Sequence, residues 1–123
     1  MSSILIIDDD ASVRRLLRKA LEGAGHTVAE ANNGGTGMQR FREKRSDLVI
    51  TDLYMPEQDG IETIQQLRAE APGCRILAVS GEAAARGTPG ALRDAGLLGA
   101  DAMLAKPFDI PQLLAAVEDL LKR

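Results

Sequence analysis

Apolar positions along the chain follow two patterns. Continuous runs occur at Ile4-Leu5-Ile6-Ile7, Leu48-Val49-Ile50-Thr51, Ile76-Leu77-Ala78-Val79 and Ala102-Met103-Leu104-Ala105, with a weaker one at Thr27-Val28-Ala29. Runs that are continuous rather than alternating suit strands covered on both faces in a parallel sheet. Between the runs, apolar residues recur at helical spacing. Val13, Leu16, Leu17, Ala20 and Leu21 predict a core-facing stripe, with Arg14, Arg15, Arg18 and Lys19 on the opposite face. Asp10 or Ser12 can cap the start of this helix, and Gly23 and Gly25 supply stop signals.

A second helix is predicted over Gly35 to Lys44. Its glycines lower helix propensity, while Met38 and Phe41 supply core contacts. A third runs from Gly60 to about Ala69 with Ile61, Ile64 and Leu67 inward, and Pro72-Gly73 breaks the chain after it. A fourth is predicted from Pro89 to Leu98. The last, from Ile110 onward, carries Leu113, Leu114, Val117, Leu120 and Leu121 on one face. Strands alternating with helices imply a doubly wound α/β sandwich, because each crossover between parallel strands is right-handed and covered by a helix. In such a sheet the site forms at the carboxyl ends of the strands, where the strand order reverses.

The residues at those ends are chemically complementary. Asp8, Asp9 and Asp10 follow the first run, and Asp52 follows Thr51. Ser80-Gly81 and Lys106-Pro107 follow the last two. Clustered carboxylates repel one another and call for a neutralising cation. Small sets of hard oxygens suit Mg²⁺, which takes one or two carboxylates plus a phosphate oxygen. A carboxylate beside the metal can act as a nucleophile toward phosphorus. A lysine, a serine hydroxyl and a backbone N–H can then meet the phosphoryl oxygens.

Composition narrows the field. The 123 residues (13.1 kDa) make one domain's worth of chain, with hydrophobic residues at 45% and charged residues at 27%. Aromatics are so few, at 2%, that the core must be aliphatic and no base-stacking platform is available. The net charge of -3 gives no basic field for nucleic acid or an anionic membrane. A single cysteine, Cys74, excludes an internal disulfide and a cysteine-based zinc cluster. No apolar run approaches the ~20 residues of a membrane helix. A cytoplasmic protein is therefore expected.

These residues resemble the receiver domains of bacterial two-component response regulators. The resemblance rests on Ile6-Ile7-Asp8-Asp9-Asp10, Asp52-Leu53-Tyr54-Met55-Pro56 with Asp59-Gly60, Val79-Ser80-Gly81 and Leu104-Ala105-Lys106-Pro107-Phe108, in order along nearly the whole chain. It implies a single receiver domain over residues 1–123 with a flavodoxin-like (βα)5 fold. The parallel sheet would have the order 2-1-3-4-5, with helices on both faces. By resemblance Asp52 is the phosphoacceptor. Asp8, Asp9, Asp52 and the Tyr54 carbonyl hold Mg²⁺, or Mn²⁺ in its place, with Asp9 a direct ligand and Asp8 acting through water. Ser80 and Gly81 meet the phosphoryl group. Lys106 pairs first with Asp52 and then with a phosphate oxygen, and a cis bond to Pro107 aims it. Asp10 reads as a helix cap rather than a ligand.

The implied function is a signalling domain rather than an enzyme with a separate substrate. A histidine kinase or histidine phosphotransfer protein would donate the phosphoryl group, and a downstream protein would read the result. No effector domain, nucleic-acid contact or membrane contact is expected. The basic face of the first helix reads first as a solvated surface; the alternative, which the resemblance implies, is that helices of the donor dock there and the basic residues help select an acidic partner. Met103 stands where the family's switch residue is usually aromatic, and a thioether cannot report an inward flip as a ring does. The 25 residues between Ser80 and Lys106 exceed the usual number, predicting a longer, mobile loop near Glu82 to Gly90. The alternative is an interaction module of the same fold that works without phosphorylation. A phosphatase is disfavoured because Tyr54 stands where a second aspartate is wanted. Gly34-Gly35-Thr36-Gly37 lacks the spacing of a phosphate loop. His26 reads as a surface residue in a turn, and Cys74 as a small buried hydrophobe.

Overall fold

Alternate residues of the central strands feed two separate aliphatic layers. In the computed structural model the described residues are 2–53, 60–80 and 99–122. The strands are β1 (Ser3–Ile7), β2 (Thr27–Ala31), β3 (Leu48–Asp52), β4 (Arg75–Ser80) and β5 (Ala102–Ala105). Described helices are α1 (Ala11–Gly23), α2 (Gly34–Glu43), α3 (Gly60–Glu70) and α4 (Ile110–Leu121). The helix expected over Pro89 to Leu98, and the loop before it, lie outside the described residues. All four strand pairings are parallel, in the order β2-β1-β3-β4-β5.

Ile4, Ile6, Leu48, Ile50, Leu77 and Val79 pack with Leu17 and Leu21 of α1 and Leu113, Val117 and Leu120 of α4. Leu5, Ile7, Val49, Ile76 and Ala78 pack with Met38 and Phe41 of α2 and Ile64 and Leu67 of α3. The period-2 geometry of a strand thus sends the runs of β1, β3 and β4 into both layers, whereas in β5 only Ala102 and Leu104 pack inward and Met103 and Ala105 are exposed.

Two expectations are corrected. The weak second run extends through Glu30 to Ala31, because all five residues pair in register with Ser3 to Ile7 despite the charge within the strand. Leu16, assigned to the inward stripe of α1, is 56% exposed. The stripe spanned more of the helix circumference than the sheet can cover, so Leu17 and Leu21 are buried while Leu16 faces outward. The glycines of α2 have a packing reason. A Cβ on Gly37 would come within 2.8 Å of Ile7 Cγ1, so the helix sits against β1 only because that position is bare. Asp10 caps α1, its carboxylate accepting from the N–H groups of Ser12 and Val13.

Candidate functional site

The reversal of strand order lies between β1 and its two neighbours, so the carboxyl ends of β1 and β3 open onto one crevice. Asp52 is the last residue of β3, and Asp8 lies one residue beyond β1. Both are nearly enclosed, with 7% and 3% exposure, whereas Asp9 is exposed. Carboxylate oxygens of Asp8, Asp9 and Asp52 lie within 4.8 Å of one another. Three hard oxygen donors at this spacing, two of them shielded from water, fit a small divalent cation.

Lys106, one residue beyond β5, reaches across from the far edge of the sheet. Its Nζ donates to Asp8 Oδ2 at 3.1 Å and to Asp52 Oδ2 at 3.4 Å. Burial works to lower the pKa of this ammonium. The charges of Asp52 and Asp8, with their hydrogen bonds, outweigh burial and raise it above the ordinary lysine value. Lys106 is therefore a cation throughout the neutral range, and it partly neutralises the acidic cluster. The Lys106–Pro107 peptide bond is cis.

The backbone holds this geometry from several sides. The N–H of Asp8 donates to Ala31 O at 3.1 Å, and its Oδ1 accepts from Asp10 N at 2.9 Å. Past Asp52, Leu53 N donates to Val79 O, and Leu53 O accepts from Gly60 N at 2.8 Å. A Cβ on Gly60 would lie 2.6 Å from Leu53 Cα and would collide with Asp52 O. The start of α3 therefore lies directly behind the carboxylate that ends β3.

The structure brings Asp8, Asp9, Asp52 and Lys106 together. Ser80 ends β4, paired in register with Ala105, which precedes Lys106. Tyr54 and Gly81 lie outside the described residues, as does the side chain of Ser80. Met103, in β5, is 41% exposed. The basic face of α1 is less available than its sequence suggests. Arg14 and Arg18 turn toward Glu30 of β2 at 3.2 and 2.8 Å, while Arg15 and Lys19 remain exposed. Glu30 played no part in the sequence reading. Its signal was a charge inside a strand segment, opposite two arginines spaced four apart on a helix. His26 is half-buried, its Nδ1 accepting from Ser2 N. Cys74 is buried, and burial pushes its thiol up to about 11.

A doubly wound parallel sheet with carboxylates at its switch point and a lysine from the far edge defines a receiver-type architecture. Sequence comparison agrees, since the response regulator receiver domain profile matches residues 4–118. The chain belongs to the response regulator receiver domain family of two-component systems. It is 37% identical over 123 residues to the response regulator receiver protein CpdR of Brucella abortus, covering 98% of both chains. It is also 37% identical over 121 residues to the response regulator MprA of Mycobacterium ulcerans, of which it spans about half the length, 50%. Among solved structures, it superposes with a TM-score of 0.90 on a response regulator receiver domain protein from Clostridium thermocellum. That pair shares 26% identity, with coverage of 100% of this chain and 96% of the other. The chemotaxis protein CheY4 of Vibrio cholerae gives a TM-score of 0.87 at 27% identity, with 98% of each chain covered. Receiver domains bind Mg²⁺ through an acidic pocket, and the Asp8, Asp9 and Asp52 cluster has that composition. No helix among the described residues is long and apolar enough to cross a membrane.

Proposed function

We propose that the chain accepts a phosphoryl group on Asp52 from a phosphohistidine of a histidine kinase or histidine phosphotransfer protein, and that this changes its contacts with a downstream protein. The observation that carries the reading is the convergence of Asp8, Asp52 and Lys106, from three different strands, within hydrogen-bonding distance. Asp52 uses a carboxylate oxygen as nucleophile, so an O–P bond forms as the donor's P–N bond breaks and the imidazole leaves. Asp8, Asp9 and Asp52, with the Tyr54 carbonyl, would hold Mg²⁺, which supplies positive charge for the phosphoryl oxygens. Lys106 exchanges its bond to Asp52 for one to a phosphoryl oxygen, and the Ser80 hydroxyl and Gly81 N–H add neutral donors. The phosphoryl group, close to -2, replaces a singly charged carboxylate, and this change of charge and size biases the domain between two conformations, which is how a local modification reaches a distant surface.

Val13, Leu16 and Leu17 of α1 line an apolar depression with Pro107, Phe108 and the stem of Lys106, next to the acidic crevice. This depression suits the helix of a phosphoryl donor, which must bring its histidine close to Asp52. Incubation with Mg²⁺ and acetyl phosphate is expected to give one acid-stable, base-labile adduct, seen as the mass of a single phosphoryl group and absent in Asp52→Asn. A folded protein that binds Mg²⁺ yet forms no adduct would be an interaction module instead.

A further inference from the structure

Among the described residues the carbonyl of Asp8 has no strand partner, because the β1–β3 ladder ends at the Ile7–Thr51 pair. Its hydrogen-bond partner is a side chain: Arg14 Nη1 of α1 donates to Asp8 O at 2.6 Å. The same guanidinium donates from Nε to Glu30 Oε1 at 3.2 Å, and Glu30 Oε2 accepts from Arg18 Nη1 at 2.8 Å. Arg14 is mostly shielded, with 17% of its side chain exposed. A guanidinium bound on two edges is fixed in plane and direction, as a lysine ammonium would not be.

The consequence lies in the peptide group that Arg14 grips. A peptide is planar, so fixing the Asp8 carbonyl also fixes the nitrogen and Cα of Asp9, from which its side chain departs. Asp8 and Asp9 are the two acidic neighbours that share this plane, and Asp9 is the exposed one with no enclosing wall to orient it. We propose that Arg14, oriented by Glu30, is a positioning residue for the cation site: it clamps the Asp8–Asp9 peptide so that both carboxylates face Asp52. This rests on the reading of Asp8, Asp9 and Asp52 as a Mg²⁺ site. Arg14 acts from outside that site, through backbone.

Sign separates this role from a purely electrostatic one. A cationic side chain near a cation site weakens metal binding, so deleting Arg14 as a mere charge would tighten Mg²⁺. Deleting it as a clamp loosens Mg²⁺. The test is Mg²⁺ titration, by calorimetry and by amide chemical shifts, of the wild-type chain, Arg14→Met, Arg14→Lys and Glu30→Ala. Melting curves in EDTA provide the check on folding. Arg14→Met is expected to weaken Mg²⁺ about tenfold, the effect usual for partners of metal ligands. Glu30→Ala, which leaves Arg14 present but unoriented, should give a smaller loss in the same direction, and Arg14→Lys a partial rescue. The Asp9 and Asp10 amide resonances should shift in Arg14→Met before any metal is added. Affinity equal to or tighter than wild type in both Arg14→Met and Glu30→Ala overturns the proposal while leaving the cation site standing. Failure of the wild-type chain itself to bind Mg²⁺ overturns both.

Discussion

Lys106 Nζ lies nearer to Asp8 Oδ2, at 3.1 Å, than to Asp52 Oδ2, at 3.4 Å. The lysine thus serves as counter-ion to two carboxylates at once, one at the end of each central strand. Family resemblance had suggested Asp52 as the first partner. The geometry adds Asp8, whose side chain is only 4% exposed and stands in the greater need of a neutralising charge.

Removing that charge has opposite effects on folding and on metal binding. Lys106→Ala is expected to lower the melting temperature in EDTA, because Asp8 and Asp52 lose a shared counter-ion while buried. Mg²⁺ should then bind as tightly as in wild type or up to about tenfold tighter, about 1.4 kcal/mol, and restore the melting temperature. Thermal melts with and without Mg²⁺ read both effects. A sharp loss of Mg²⁺ affinity would contradict the placement of Lys106 as a competitor for the same carboxylates.

Alkaline pH should act in two stages. Burial holds the Cys74 thiol at about 11, above its ordinary range. As pH rises from the ordinary thiol range toward that value, the unfolded chain ionises and the folded one does not, so stability falls by roughly 2–3 kcal/mol. Lys106 is also raised, so its contribution is complete below the ordinary lysine value of about 10.4 and is lost as pH climbs through its folded value. Denaturant titrations between pH 8 and pH 11 should show the first stage flattened in Cys74→Ala and the second retained.

Gly60 is expected to tolerate no side chain. Gly60→Ala would press a methyl group onto Asp52 O and Leu53 Cα, both backbone atoms with little freedom to yield. A destabilisation of about 1–3 kcal/mol is expected, with a slower phosphorylation rate because the carboxylate ending β3 must shift. Gly73→Ala, where no atom lies within 4 Å of the new Cβ, is the control.

Arg68 ties together the segments that lead into β4 and β5. Its guanidinium donates to the carbonyls of Gly99, Pro72 and Cys74 and to Asp101 Oδ2, whose carboxylate also accepts from Ile76 N. Arg68→Met should cost about 2–3 kcal/mol in a denaturant titration, since several backbone acceptors lose their donor together. Arg68→Lys should recover less than half, because an ammonium cannot span the same set.

Leu16 and Leu17 are adjacent in sequence and opposite in consequence. Leu17→Ala is expected to destabilise by about 2–4 kcal/mol, since the side chain is 2% exposed in the layer under α1. Leu16→Asn should change stability by less than about 0.5 kcal/mol. The same change should slow phosphoryl transfer from a protein donor while leaving acetyl phosphate labelling unaltered, which a comparison of the two donors measures.

Much of this protein was legible along the chain. Continuous runs such as Ile4 to Ile7 named the buried strands, because a strand covered on both sides takes apolar residues at every position, yet the run Ala102 to Ala105 has the same pattern and leaves Met103 and Ala105 exposed. The identities Asp8, Asp9, Asp52 and Lys106 marked the candidate site, because they stand where apolar runs end and a doubly wound sheet brings its carboxyl ends to one crevice. Periodicity could not choose between Leu16 and Leu17, since a helical stripe marks a range of angles and the sheet beneath decides which part is covered. Glu30 and Arg14 were illegible for another reason. An ion pair between a strand and a helix, and a guanidinium on a backbone carbonyl, have no sequence period. They come into being only when α1 is laid across β1 and β2, so only the tertiary structure could decide them.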